Sequence, residues 1–271
     1  MNLLNTRVKS RSLLGSVLVA AMLSVSAFSN ATVLRITVEN NSPENGLSFT
    51  PVYAAFHSAA FDIFDAGSEA SAGVEAVAEL GAPGLLRDER VAVDPNSVGG
   101  VIFPDGGMRP LFPQESGSRM FDISDPMSNM FFSFISMILP SNDTFFGTDD
   151  AIQLFDAAGN YLGDQVFEIT GANLYDAGTE GLDVTAAPFV DGSTATDSPV
   201  DTNPNIRAAE SLAAFGGSLL ANGSILDGNL IDFLSNTNLS IATIRVEQVS
   251  TPSIFALLSI ALAGFFVRRK A

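Results

Sequence analysis

Residues 130–139 read MFFSFISMIL, an apolar run interrupted only by Ser133 and Ser136. The loop PSND follows, opening on Pro140. A continuous apolar run of strand length, closed by a residue that cannot donate to a sheet ladder, predicts a central β-strand buried on both faces. Such a strand needs a second apolar layer on each side, which makes it the element around which a domain is organised.

The segments around it have strand patterns of a different kind. TVLRITVEN (Thr32–Asn40) alternates through Leu34, Ile36 and Val38 and predicts an opening strand with one buried face. LSFTPVYAAFH follows the turn cluster NNSPENG as a second extended segment. AIQLFDAAGNYLG (Ala151–Gly163) reads as strand, turn and strand, and a further strand runs through Val166, Phe167 and Ile169. LSIATIRVEQV (Leu239–Val249) alternates again and closes the domain. One helix is expected in SEASAGVEAVAELGAPG, with Ser68 as cap and Gly81 and Pro83 as stop, and a second candidate is IRAAESLAAFGGSLL. Many short strands, frequent turns and one or two short helices predict a mainly β antiparallel sandwich. Residues 184–205 are rich in Thr, Ala, Ser, Asp and Pro and read as a long loop.

The ends differ from the middle. Arg7, Lys9 and Arg11 precede the apolar run LLGSVLVAAMLSVSAFSNA, the pattern of a secretory signal peptide over residues 1–31, cleaved after Ala31 or, alternatively, Ala27. The domain then spans 32–250. At the other end, Pro252 precedes the apolar stretch Ile254–Val267, and Arg268, Arg269 and Lys270 follow it. That stretch is short for a bilayer span, which needs ~20 residues. With its flank it suits a membrane-anchoring or sorting segment over 251–271, its basic end kept on the cytoplasmic side.

All 30 acids lie between these ends, against 7 arginines, for a net charge of −23 in that region. Such a surface repels nucleic acid, whose binding depends on Lys and Arg neutralising phosphates, and suits divalent cations. With no cysteine there is no disulfide framework, thiolate metal site or cysteine nucleophile. The glycine pairs at Gly106–Gly107 and Gly216–Gly217 lack the context of a phosphate loop. His57 is the only histidine, and its setting predicts a hydrogen-bonded residue at a strand end rather than a base.

Two acid-rich loops follow apolar segments. PSNDTFFGTDD brings Asp143, Asp149 and Asp150; LYDAGTEG brings Asp176 and Glu180 around Gly178. Hard cations take six to eight oxygen ligands, so acids four apart on one loop need a third from elsewhere, and Asp143 is the leading candidate. Spacing alone leaves three readings open: a cation site, a catalytic carboxylate pair and a solvated turn. A glycosidase would need its two carboxyls in an aromatic-lined cleft, and the chain has no Trp and 3 Tyr.

Several stretches together resemble the spondin domain: Thr50–Pro83, Phe132–Asp143 and Leu174–Gly181, in that order, with His57–Ser58, VAELGAP, the PSND loop and DAGT plus an acid. The resemblance runs from Val33 to about Gly181, with the closing strand compatible, and leaves 184–235 as a candidate insertion. It implies a C2-like antiparallel β-sandwich holding Ca²⁺ through Asp143, Asp176 and Glu180. Glu180 stands where the family usually has Asp, and Tyr175 where it has Trp. The tail resembles bacterial PEP-CTERM sorting signals, although its motif region VSTPS lacks their Glu between two prolines. This second resemblance implies export, transient anchoring in the inner membrane, then transfer to the cell surface or release. The resulting expectation is a non-catalytic calcium-binding module that meets an extracellular matrix or cell-surface polymer. The alternative is an extracellular hydrolase acting on polysaccharide.

Overall fold

The alternation in TVLRITVEN becomes strand β1 (Thr32–Asn40), whose Leu34, Ile36 and Val38 are fully buried while their neighbours stay half-exposed. A computed structural model describes residues 31–193, 200–201, 203–220 and 222–249. Apart from Ala31, the expected signal peptide lies outside the described residues, as does the whole expected tail segment. Among the described residues no helix is long and apolar enough to cross a membrane.

β1 is a central strand of a four-stranded antiparallel sheet. Its neighbours are β5 (Ser116–Ile123) and β12 (Ser240–Gln248), and β9 (Gln165–Thr170) pairs with β12. The second, larger sheet is ordered β11-β10-β7-β6-β3-β4. Its members are β3 (Val52–His57), β4 (Val98–Ile102), β6 (Phe131–Leu139), β7 (Thr144–Gly147), β10 (Leu174–Asp176) and β11 (Arg207–Ala208). Two short strands, β2 (Ser48–Phe49) and β8 (Ile152–Gln153), also pair with β6. The sheets meet face to face through aromatic rings. Phe56 of β3 lies 5.2 Å from Phe121 of β5, and Phe134 of β6 lies 6.2 Å from Phe167 of β9.

The apolar run at 131–139 forms β6, and its burial on both faces has a visible cause. Phe132, Phe134 and Ile138 enter the core between the sheets, while Ile135 enters a second core with Phe64, Phe145 and helix α1 (Ala72–Leu80). The molecule is thus a sandwich with a helical layer laid on the outer face of the larger sheet. Truncating Phe134 to Ala would cost roughly 3–5 kcal/mol, the usual range for a buried ring.

Three expectations need correction. Helix α1 is capped by Ser71, whose hydroxyl accepts the Val74 amide proton at 3.2 Å, and not by Ser68. Glu69 is held in a bridge to Asn205, which keeps that stretch extended until Ser71. Gly81 ends α1 in the left-handed conformation as expected. Pro83, read as a stop, in fact stands at the N-cap of a second helix, α2 (Gly84–Val93). Proline is well tolerated at a helix start because its missing N–H lies among groups without an intrahelical partner. Finally, residues 206–220 are not a helix. Arg207 and Ala208 pair with β10, and only a short 3-10 turn forms at Ala213–Phe215. The apolar residues of that segment, Ile206, Leu212, Phe215 and Leu220, are instead buried from an irregular backbone.

Candidate functional site

The PSND loop and the DAGTE turn meet because β7 and β10 are paired. Asp176 lies opposite Thr144, next to Asp143, and the Ala177 amide donates to the Asp143 carbonyl at 3.2 Å. Beneath the turn Tyr175 packs against Phe64 and Phe145, with ring centroids at 4.9 and 5.7 Å. These contacts fix the strand end from which Asp176 projects. Asp143 and Asp176 are only 4% and 7% exposed.

The backbone of the turn is wrapped around the Asp143 carboxylate. Its Oδ2 accepts from the amides of Thr179 and Glu180, each at 3.2 Å. Asp176 Oδ1 accepts from Gly178 N at 2.8 Å. Gly178 is required here: its φ is +73°, and a Cβ would stand 2.6 Å from the Asn203 carbonyl oxygen. Asn142 pins the next residues by accepting the Asp183 amide proton on Oδ1 at 3.0 Å.

A cation of the chain itself reaches the site. Arg207 Nη2 lies 3.1 Å from Asp176 Oδ2 and 2.5 Å from Asp201 Oδ2. One guanidinium therefore serves two carboxylates, and Asp143 adds a third negative group nearby. Burial, then the neighbouring Asp176, pushes the Asp143 carboxyl up to about 7. Asp176 is also raised, chiefly by burial, against the opposing pull of its Gly178 hydrogen bond and Arg207. Both shifts come first from burial, which disfavours the charged carboxylate, with the neighbouring Asp176 adding to that at Asp143.

One further atom is unspent. The Thr179 hydroxyl is buried at this turn with no hydrogen-bond partner, one of two such side-chain atoms found among the described residues. Buried polar groups are nearly always paired, so this unmet hydroxyl stands out beside a turn whose Thr179 amide is itself bound to Asp143. The three residues expected as ligands are brought to one turn, but in different roles. Asp143 and Asp176 converge through their side chains, whereas Glu180 contributes its amide to Asp143 and its backbone to a bridge with Val200. Among the described residues no three Asp, Glu or His side chains are gathered closely enough to hold a metal. Asp143 and Asp176 are the two carboxylates whose side chains the structure brings together at this turn.

Arg207 and Thr179 were not singled out in the sequence. Arg207 had a signal: it is the only basic residue between Arg119 and Arg245. His57 is fully buried, donating from Nδ1 to the Ser58 carbonyl at 2.8 Å and accepting at Nε2 from Ser133 at 2.9 Å. Burial lowers its pKa, so the ring stays neutral and fixes β3 against β6.

A two-sheet antiparallel sandwich with a carboxylate-bearing turn at the β7–β10 end is the class of protein these features define. The Spondin_N family model matches residues 35–208, and the chain belongs to that family. The matched region continues past Gly181 through the loop after 184 and includes Arg207, so residues 184–208 fall within it. None of the curated proteins searched matches the chain.

Proposed function

We propose that this chain is an exported Spondin_N module in which the Asp143–Asp176 turn binds Ca²⁺, and which acts in adhesion or matrix contact without catalysis. The observation behind this reading is the convergence of two buried carboxylates, Asp143 and Asp176, on one turn where a single guanidinium already serves Asp176 and Asp201. Asp143 and Asp176, with Glu180 of the same turn, would hold the ion, which would supply positive charge in place of the repulsion between the carboxyls. Binding only to the folded state would stabilise the domain by mass action. Calorimetric titration with Ca²⁺, together with melting scans with and without EDTA, tests the site. A saturable signal lost in Asp176→Ala supports it, and an unchanged melting temperature counts against it.

The partner would be a matrix or cell-surface polymer. Binding of the protein to whole cells with and without Ca²⁺ tests this. The basic-ended tail would direct export and transient inner-membrane anchoring, as a PEP-CTERM-like signal. Intact-mass analysis should then show a mature form lacking residues beyond about 250 and beginning near residue 32, and a secreted form retaining Arg268–Lys270 would contradict it.

A further inference from the structure

We propose that the domain carries a separate oxyanion-binding groove at the β4 edge of the larger sheet, taking a carboxylate or a tetrahedral sulfate or phosphate group. The groove has a volume of about 310 Å³, and Tyr53, Arg87, Gly99, Gly100 and Arg119 are among its lining residues. It gathers cations in a domain that has few. Arg87 and Arg119 line it, and Arg90 lies directly behind, so three of the 7 arginines between the two chain ends meet there.

Neither Arg90 nor Arg119 forms an ion pair among the described residues, in contrast to Arg109, Arg207 and Arg245. Arg119 reaches from β5 across to β4, donating to the Val101 carbonyl at 3.0 Å, with its guanidinium 5.3 Å from the Phe121 ring. It can lie there because Gly100 has no side chain: a Cβ would stand 2.5 Å from the guanidinium carbon. Gly99 plays the same part for the layer beneath, where a Cβ would approach Arg90 Nη2 and the Tyr53 hydroxyl to 3.1 Å. The two glycines thus leave room on opposite faces of the strand, Gly99 for the buried Arg90 and Tyr53 hydroxyl and Gly100 for the exposed Arg119.

Those donors are only partly used. Arg90 is 4% exposed, and a buried guanidinium without a counter-charge is costly. Its Nε donates to the Tyr53 oxygen at 2.8 Å and its Nη1 to Ser97 Oγ. Tyr53 is 2% exposed and accepts in that bond, so its own O–H proton is left to donate. Asp94, one helical turn on from Arg90, is committed to the Ser58 amide at 2.7 Å. Arg87 carries a partner, but its pair with Asp88 at 2.8 Å is exposed on both sides and exchanges readily with a ligand. α2 also opens on this groove with no side-chain cap and no acid in its first turn, which adds to the positive field. Planar guanidinium forks match oxyanions in geometry as well as charge.

The test is calorimetric titration of the full chain at constant ionic strength, balanced with chloride, using galacturonate in one arm and inorganic sulfate in the other. Saturable binding of either is expected, and the arm that binds identifies the source of the oxyanion. Arg119→Gln should weaken it about tenfold, the scale of one charge-assisted hydrogen bond. Gly100→Ala should do the same while keeping every charge, because its methyl group displaces the guanidinium. Arg245→Gln, which removes a cation paired elsewhere, should leave the affinity unchanged. The proposal is overturned if neither anion binds saturably, if Arg119→Gln binds as well as the parent, or if Arg245→Gln loses as much as Arg119→Gln.

Discussion

The β7–β10 turn and the β4 edge are charged in opposite senses and solved in opposite ways. At the turn, Asp143, Asp176 and Asp201 share the single guanidinium of Arg207. At the β4 edge, Arg90 and Arg119 have no carboxylate partner among the described residues, and Arg87 has one exposed partner. Counting charges would rank the acidic loops first everywhere in so acidic a chain. What distinguishes these two places is a surplus that the fold leaves uncompensated while burying part of it. A buried surplus is costly to the free protein and is relieved by a ligand of the opposite sign.

The largest expected effect tests whether the turn is a rigid device. Gly178→Ala forces a side chain into the left-handed region and against the Asn203 carbonyl. A loss of at least ~2 kcal/mol in urea unfolding is expected, from about 1–2 for the conformation plus the clash. A wild-type midpoint would mean the turn relaxes freely. Next, Asp176→Ala removes the hydrogen bond to Gly178 N and the contact to Arg207, and should cost about 1–3 kcal/mol without added metal while abolishing any Ca²⁺-dependent shift.

Arg207→Gln sharpens the comparison by making the turn as unbalanced as the β4 edge. Without its internal cation the apo domain should melt lower, and the stabilisation gained from Ca²⁺ should grow. Equal Ca²⁺ responses in the two proteins would show that Arg207 does not compete for the site.

A pH series gives a smaller effect with a definite sign. Asp143 holds its proton up to about 7 in the fold, against 3.8 when free. The folded state therefore binds this proton more tightly than the unfolded chain. The contribution is full below 3.8 and is lost as pH rises through about 7. The apo protein should lose melting temperature between about pH 5 and pH 8, and Asp143→Asn should flatten that slope. The smallest effect belongs to Arg87→Gln, whose exposed pair should be worth less than ~1 kcal/mol in stability.

Much of the fold was legible because burial leaves a period in the sequence. β1 and β12 alternate, and β6 is apolar throughout because it lies between two cores. β4 and β5 were harder: VGGVI and SGSRMFDI lack an apolar period, one being a sheet edge whose glycines leave room for Arg90 and Arg119. α2 was hidden because proline marks both the end of one helix and the beginning of another. At the site, Asp143 and Asp176 could be named from the resemblance to a known family. Arg207 could not, because its contact with Asp176 spans 31 residues and depends on β10–β11 pairing in a segment without clear pattern. The Thr179 hydroxyl was invisible for a different reason: an unmet hydrogen bond is a property of packing, not of residue type.

The central claim is that the β7–β10 turn holds a negative surplus awaiting a cation. The most direct measurement is the melting temperature of wild type and Asp143→Asn at about pH 8, as Ca²⁺ is titrated against EDTA. The account predicts that the wild type rises saturably with Ca²⁺ while Asp143→Asn starts higher and does not respond. Identical curves for the two proteins, or a flat wild-type curve, would contradict it.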